Sequence, residues 1–251
     1  MRKWENNYTI ISFRFSERDV IHKQPGYIFP VIRAKVELPV RIDFAGGWSD
    51  TPPWSLERVG KVLNMAICID GLVPIGSEII VTSNTGISLI DDGNHQLIIE
   101  DLSTLSAPFE VDDPFRLVKS ALIVTEVAYS SALKHNGLSI RTWANVPRGS
   151  GLGTSSILAA AVVKCILSVM GRDGTNTEVT NLVLLLEQLM GTGGGWQDQI
   201  GGLYPSLKCT TSFPRCPLML VVEHIPIAPS LQKELEDRLV IFFTGQVCLR
   251  H

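Results

Sequence analysis

An α+β protein of two lobes, the second of them small, is what this 251-residue sequence predicts. Three observations carry that reading. Alternating segments that read as strands run from about residue 36 to 100, and apolar segments with helical periodicity follow between about 113 and 190. Further strand patterns come after a glycine-rich stretch at 191–202, which leaves about 50 residues for the second lobe, fewer than a domain usually needs alone.

Each element rests on its own signal. Residues 1 to about 31 show no clean period and carry a mixed charge cluster (Arg14, Glu17, Arg18, Asp19), so they read as a leader. Val36, Leu38, Val40, Ile42 and Phe44 then alternate with Lys35, Glu37, Arg41 and Asp43, the pattern of one half-buried strand, with Pro39 implying an edge or a bulge. It runs into the turn-rich loop Gly46-Gly47-Trp48-Ser49-Asp50-Thr51-Pro52-Pro53. Short strands are expected at 62–69, 78–83, 87–90 and 96–100, with 91–94 as a turn. Asp113-Pro114 marks a helix start, with Phe115, Val118, Ala121, Leu122 and Val127 on one face and Gly137 as its stop. Leu138, Ile140, Thr142, Ala144 and Val146 form a second alternation, feeding a glycine loop and a helix from about 155 to 170. A loop with an N-cap at 171–177 and a helix over 178–190 follow, then strands near 217–223 and 238–244, with the end of a short helix at 234–238.

Composition narrows the class. Apolar residues make up 45% and charged residues 19%, ordinary for a globular protein of one or two domains. A net charge of −3 and a pI near 6.0 give no support for nucleic acid or an anionic membrane as partner. The five cysteines (68, 165, 209, 216, 248) are scattered without a C-x-x-C pair, which argues against a disulfide framework or a zinc site and for a reducing compartment. Cys165 falls in an apolar helix and reads as packing. The first eight residues are polar and charged, unlike a signal peptide. The longest apolar run, 157–170, contains Lys164 and is too short to span a bilayer, so the expectation is a cytoplasmic protein.

Three clusters could carry chemistry. The first is the stretch from Ala144 to Leu158, where Gly149, Gly151 and Gly153 join a strand to a helix whose free N–H groups and positive end face the loop. Two readings are open: an anion site for a nucleotide phosphate, with hydroxyls able to reach Mg²⁺, or a turn with a helix cap. The second is Arg41-x-Asp43 with the Gly46–Asp50 loop, where Asp50 beside Trp48 suits hydroxyl recognition of a sugar-like ligand or caps its own turn. The third runs from Glu187 to Asp198. Glu187 near a helix C-terminus is disfavoured by the macrodipole and is either solvated or compensated by a metal. Asp198, after three glycines and a Trp, is a general base or a cap. Phosphate cradling, a divalent ion and a base are together what phosphoryl transfer requires. There is no Walker-A motif, no H-R-D or D-F-G set and no H-E-x-x-H, and the five histidines do not cluster.

Residues 147–156, P-R-G-S-G-L-G-T-S-S, resemble the P-x-x-x-G-L-[GS]-S-S phosphate loop of the GHMP small-molecule kinases. Together with 39–53, 143–161 and 186–205, they are similar to the fucokinase branch of that family over about 34–250. The resemblance implies a two-lobed GHMP-kinase fold: a leader (1–31), an ATP-binding lobe of ribosomal protein S5 domain 2 type (32–200), and the start of a truncated ferredoxin-like lobe (201–251). It implies an ATP- and Mg²⁺-dependent kinase acting on the anomeric hydroxyl of L-fucose. Asp198 would be the base, with Arg41 beside it holding it ionised and helping to neutralise the transition state. Pro147, Gly149, Ser150, Gly151, Gly153, Thr154, Ser155 and Ser156 would line the triphosphate. Ser155 and Glu187 would hold Mg²⁺, and Asp50, with Trp48, Gly194 and Gly195, would bind the sugar. A GDP-fucose pyrophosphorylase domain would be fused to the kinase in the intact relative. No late G-A-G-G-G-G segment follows Gly202, so the sequence reads as part of a longer kinase. Another sugar such as a heptose, or a catalytically silent binding fragment, are the alternative readings.

Overall fold

The computed structural model of the protein describes residues 29–147 and 149–246. The expected leader, with its charge cluster, lies outside them up to residue 28. In chain order the strands are β1 (Arg33–Leu38), β2 (Val40–Ala45), β3 (Gly60–Ile67), β4 (Ile75–Thr82), β5 (Gly86–Ile90), β6 (Gln96–Ile99), β7 (Gly137–Ala144), β8 (Leu207–Phe213) and β9 (Met219–His224). The helices are α1 (Trp54–Glu57), α2 (Arg116–Val124), α3 (Thr154–Val169), α4 (Asn176–Leu189), α5 (Gln197–Leu203) and α6 (Pro229–Arg238).

Two sheets form. The first has the order β1-β4-β7-β5-β6 and is antiparallel except for the parallel β5–β7 pair. The second is an antiparallel β2-β3-β8-β9 sheet. Pro39 is where they part. The single strand expected over 36–44 is two strands in different sheets, because proline lacks the N–H and the free φ that a continuous ladder needs.

α3 is the hub. It is apolar around its whole circumference, the mark of a helix buried on all sides. Ala159, Ala160 and Ala161 keep it slim enough to lie against β1 and β4 on one side and α2, α4 and α5 on the others. Cys165 on its buried face donates to the Ser77 carbonyl at 3.2 Å, and burial pushes its thiol up to about 12, consistent with inert packing.

Three expectations need correction. The helix starting at Asp113-Pro114 stops at Val124 rather than near Gly137: Thr125 caps it by donating its hydroxyl to Ala121 O, and Glu126 turns left-handed at φ 62°. Two short 3₁₀ turns, 127–129 and 131–134, follow. α5 and β8 were not expected at all. In β8 the inward positions are Lys208, Thr210 and Ser212, all fully buried, so the apolar-in alternation is inverted. Finally, residues 239–246 form no regular element, although a strand was expected over 238–244: among the described residues no neighbouring strand supplies a ladder for Leu239–Phe243. The boundary expected after residue 200 falls inside α5, and β8 beyond it pairs with β3. Among the described residues, no helix is long and apolar enough to cross a membrane.

Candidate active site

β2 carries Arg41 against the glycine loop and α5, where the side chain is almost wholly buried. Its Nε and Nη2 both donate to Asp198 Oδ1, at 3.0 and 2.6 Å. Its Nη1 donates to the Gly151 carbonyl at 2.6 Å and lies 3.1 Å from Asp43 Oδ2. The backbone N–H of Arg41 reaches Leu152 O at 3.4 Å. One residue therefore ties the glycine loop to the first turn of α5. Asp198 Oδ2 accepts no hydrogen bond from any described residue, so one carboxylate oxygen is left for a ligand. Close approach explains the glycines here. A Cβ on Gly201 would sit 2.5 Å from Arg41 Cβ and Cγ, and one on Gly153 would sit 3.2 Å from Asp198 Cβ.

The glycine loop turns through three left-handed residues, Gly149, Gly151 and Gly153, at φ 71°, 78° and 76°. The last is the residue before the sixteen-residue α3, whose first-turn N–H groups open onto the loop. Ser150 N–H donates to Pro147 O at 3.3 Å and closes the turn. The hydroxyls of Ser150 and Thr154 are buried without a hydrogen-bond partner among the described residues, which leaves donors for a ligand's oxygens. Ser155 is exposed, one position before the buried Ser156. Ser156 rather than Ser155 donates to Glu187 Oε1.

Glu187, in the last turn of α4, is buried. The segment after it threads between two acids: a Cβ on Gly194 would lie 2.1 Å from Glu187 Oε2, and one on Gly195 would lie 1.9 Å from Asp50 Oδ2. Asp50 is 1% exposed and accepts from Gln197 N–H at 3.2 Å and Thr51 Oγ1 at 3.1 Å. Burial pushes its carboxyl above the ordinary range, and the charge of Asp198 adds to that. Trp48 does not close over this group. The residue is 73% exposed and, with Thr51, Trp54 and Arg58, lines a concave surface beside the loop.

A serine hydroxyl and the carboxylate of Glu187 offer a hard divalent cation oxygen donors only. Among the described residues no three His, Cys, Asp or Glu side chains converge on a metal position. An ion bound by one carboxylate, a hydroxyl and phosphate oxygens fits that donor set. Sequence reasoning missed Asn64 on β3 and Lys208 on β8, both fully buried beside this cluster. Their signal was a polar residue at an inward position of a strand.

Comparison with known proteins gives four likenesses. Residues 116–205 match the GHMP kinases N terminal domain. The chain is 59% identical over 236 residues to the bifunctional fucokinase/GDP-fucose pyrophosphorylase of Arabidopsis thaliana, covering 94% of this chain and 22% of that protein. It is 36% identical over 224 residues to the L-fucokinase/L-fucose-1-P guanylyltransferase of Bacteroides fragilis, covering 82% of this chain and 23% of that protein. The chain thus spans less than a quarter of the length of these two relatives. Among solved structures, a D-glycero-D-manno-heptose 1-phosphate kinase from Bacteroides thetaiotaomicron superposes with a TM-score of 0.65 at 24% identity, over 81% of this chain and 63% of the other. That last likeness is one of fold.

Proposed function

Because this chain carries a GHMP kinase N-terminal domain, we propose that it is the kinase part of an ATP-dependent sugar 1-kinase, transferring the γ-phosphoryl group of ATP to the anomeric hydroxyl of L-fucose. The observation that carries the reading is Arg41, which joins Gly151 of the phosphate loop to Asp198 while leaving Asp198 Oδ2 open. The triphosphate would lie along Pro147–Ser156, taking N–H groups from the loop and from the start of α3, with the Ser150 and Thr154 hydroxyls as further donors. Asp198 Oδ2 would accept the proton of the anomeric hydroxyl as its oxygen bonds to the γ-phosphorus. The bond from that phosphorus to the bridging oxygen breaks, and ADP leaves. Arg41 would offset the negative charge gathering on the transferred group. Asp50, with the Gly194–Gly195 backbone passing over it, would accept from sugar hydroxyls, and the exposed Trp48 ring would form the outer wall.

Glu187 with Ser155 or Ser156 would hold Mg²⁺, which would supply positive charge against the triphosphate. The Ser156–Glu187 hydrogen bond favours Ser156 as the nearer hydroxyl. In a longer protein of the relatives' kind, the sugar 1-phosphate would pass to a fused guanylyltransferase-type domain.

ADP release measured with L-fucose, D-galactose and D-glycero-D-manno-heptose tests the substrate, both for this chain and for one extended to the relatives' length. L-fucose should give the highest kcat/KM. A preference for the heptose would instead favour the second reading, which rests on the heptose-kinase fold. Turnover with none of them would leave the silent-fragment reading.

A further inference from the structure

Beneath α5, Asp43 on β2, Asn64 on β3 and Lys208 on β8 stand directly opposite one another across the second sheet, and His224 on the edge strand β9 continues the same rung. Residues opposite across antiparallel strands sit close enough for side chains to interact. Asn64 and Lys208 are fully buried, whereas the Asp43 side chain keeps 23% of its surface. Asn64 Nδ2 donates to Gln197 O at 3.3 Å, and Lys208 Nζ donates to Gly201 O at 3.2 Å and to Ser206 O at 3.3 Å. The strand row therefore holds α5 from below at its first residue and at Gly201. Gly201 in turn packs its Cα against the aliphatic stem of Arg41, while Asp43 lies against the Nη1 of that same arginine.

We propose that Lys208 is a positioning residue for phosphoryl transfer, acting through Gly201 and Asp43 to keep the Arg41 guanidinium aimed at Asp198. This rests on the kinase reading above for its activity readout. Three carboxylates, Asp43, Asp50 and Asp198, crowd this neighbourhood, and burial and the other two acids push the Asp43 carboxyl up, against the pull of Arg41. The ammonium of Lys208, on the same rung of the sheet, is attracted by the Asp43 charge. Burial lowers its amine to about 7, with Asp43 pulling the other way. Once the proton leaves, that attraction is lost, and Asp43 leans more on the Asn64 hydrogen bond and on Arg41, competing with Asp198 for that guanidinium. The charged and titratable groups facing Lys208 are Asp43 from β2 and His224 from β9; from α5 it meets a backbone carbonyl.

The test compares the wild type with Lys208→Met and His224→Gln. One arm follows kcat against pH with ATP and L-fucose; the other follows the Arg41 Nε–H resonance by ¹⁵N NMR, assigned through Arg41→Lys. In the wild type kcat should fall as pH rises through about 7, and the resonance should shift over the same range. Lys208→Met should lower kcat roughly 10- to 100-fold, keep KM for ATP within about twofold, and abolish the alkaline fall. His224→Gln should keep both the rate and the fall. The proposal is overturned if Lys208→Met retains wild-type kcat, if it loses rate but keeps the alkaline fall, or if His224→Gln removes that fall. Absence of turnover with L-fucose in the wild type would refute the substrate reading alone, because an Arg41 resonance unmoved by pH would still sink the positioning claim. That resonance also decides the matter if Lys208→Met does not fold.

Discussion

Arg41 directs two donors at one oxygen of Asp198 and a third at the phosphate-loop carbonyl, so its charge and its shape are both in use. Asp198→Asn keeps the shape of the carboxylate and removes its basicity. It should lower kcat roughly 10²-fold or more while nucleotide affinity, measured by calorimetry, stays near wild type. Unchanged turnover would remove Asp198 from the role of base. Gly195 supplies a separate test, because a methyl there would fall 1.9 Å from Asp50 Oδ2. Gly195→Ala should raise KM for the sugar roughly tenfold or more, the loss of about one hydrogen bond to a charged group, with KM for ATP little changed. A rise in the ATP term alone would mean that Asp50 does not face the sugar.

α5 is the element on which the site turns, and it is short. Seven residues with two adjacent glycines would not hold a helix unaided. Trp196 at its start is fully buried with Val62 and Ile200, and that small apolar cluster pins it to the second sheet. Trp196→Ala should therefore cost about 3–5 kcal/mol in denaturant unfolding; a loss below about 1 kcal/mol would show that α5 is held by other contacts. These packing details also mark what could be read from sequence. α3 and α4 were legible because their apolar runs and the Thr175 cap are local signals. α5 was hidden because Gly201 and Gly202 read as loop, although they are glycines only to let Arg41 and Ile157 come close. β8 was hidden because its inward face is polar, and Pro39 marked a break without revealing that the chain changes sheets there. The residues of the site were legible as motifs. Their mutual contacts were not: that Ser156 meets Glu187, or that Gly151 meets Arg41, depends on tertiary geometry.

At the scale of the whole molecule, the two sheets meet through β1–Pro39–β2 and through α3, which touches the first sheet and α5. Global stability should consequently report on ionisation at the junction. The Lys208 amine is lowered from 10.5 to about 7 in the folded chain, so between those values the unfolded chain holds a proton that the folded chain has released. Stability therefore rises with pH across that window. Relative to Lys208→Met, the wild type should gain about 2 kcal/mol between pH 7 and 9 in chemical denaturation. Parallel curves would mean that the amine titrates normally. The proposed activity is one chemical event, transfer of the γ-phosphoryl group to the anomeric oxygen of L-fucose with its proton passing to Asp198. Phosphorus NMR of ATP and L-fucose, incubated with this chain or with one extended to its relatives' length, reads that event directly. A resonance coupled to the anomeric proton should appear and should be nearly lost in Asp198→Asn. No sugar phosphate from either form, or equal formation by the variant, would contradict it.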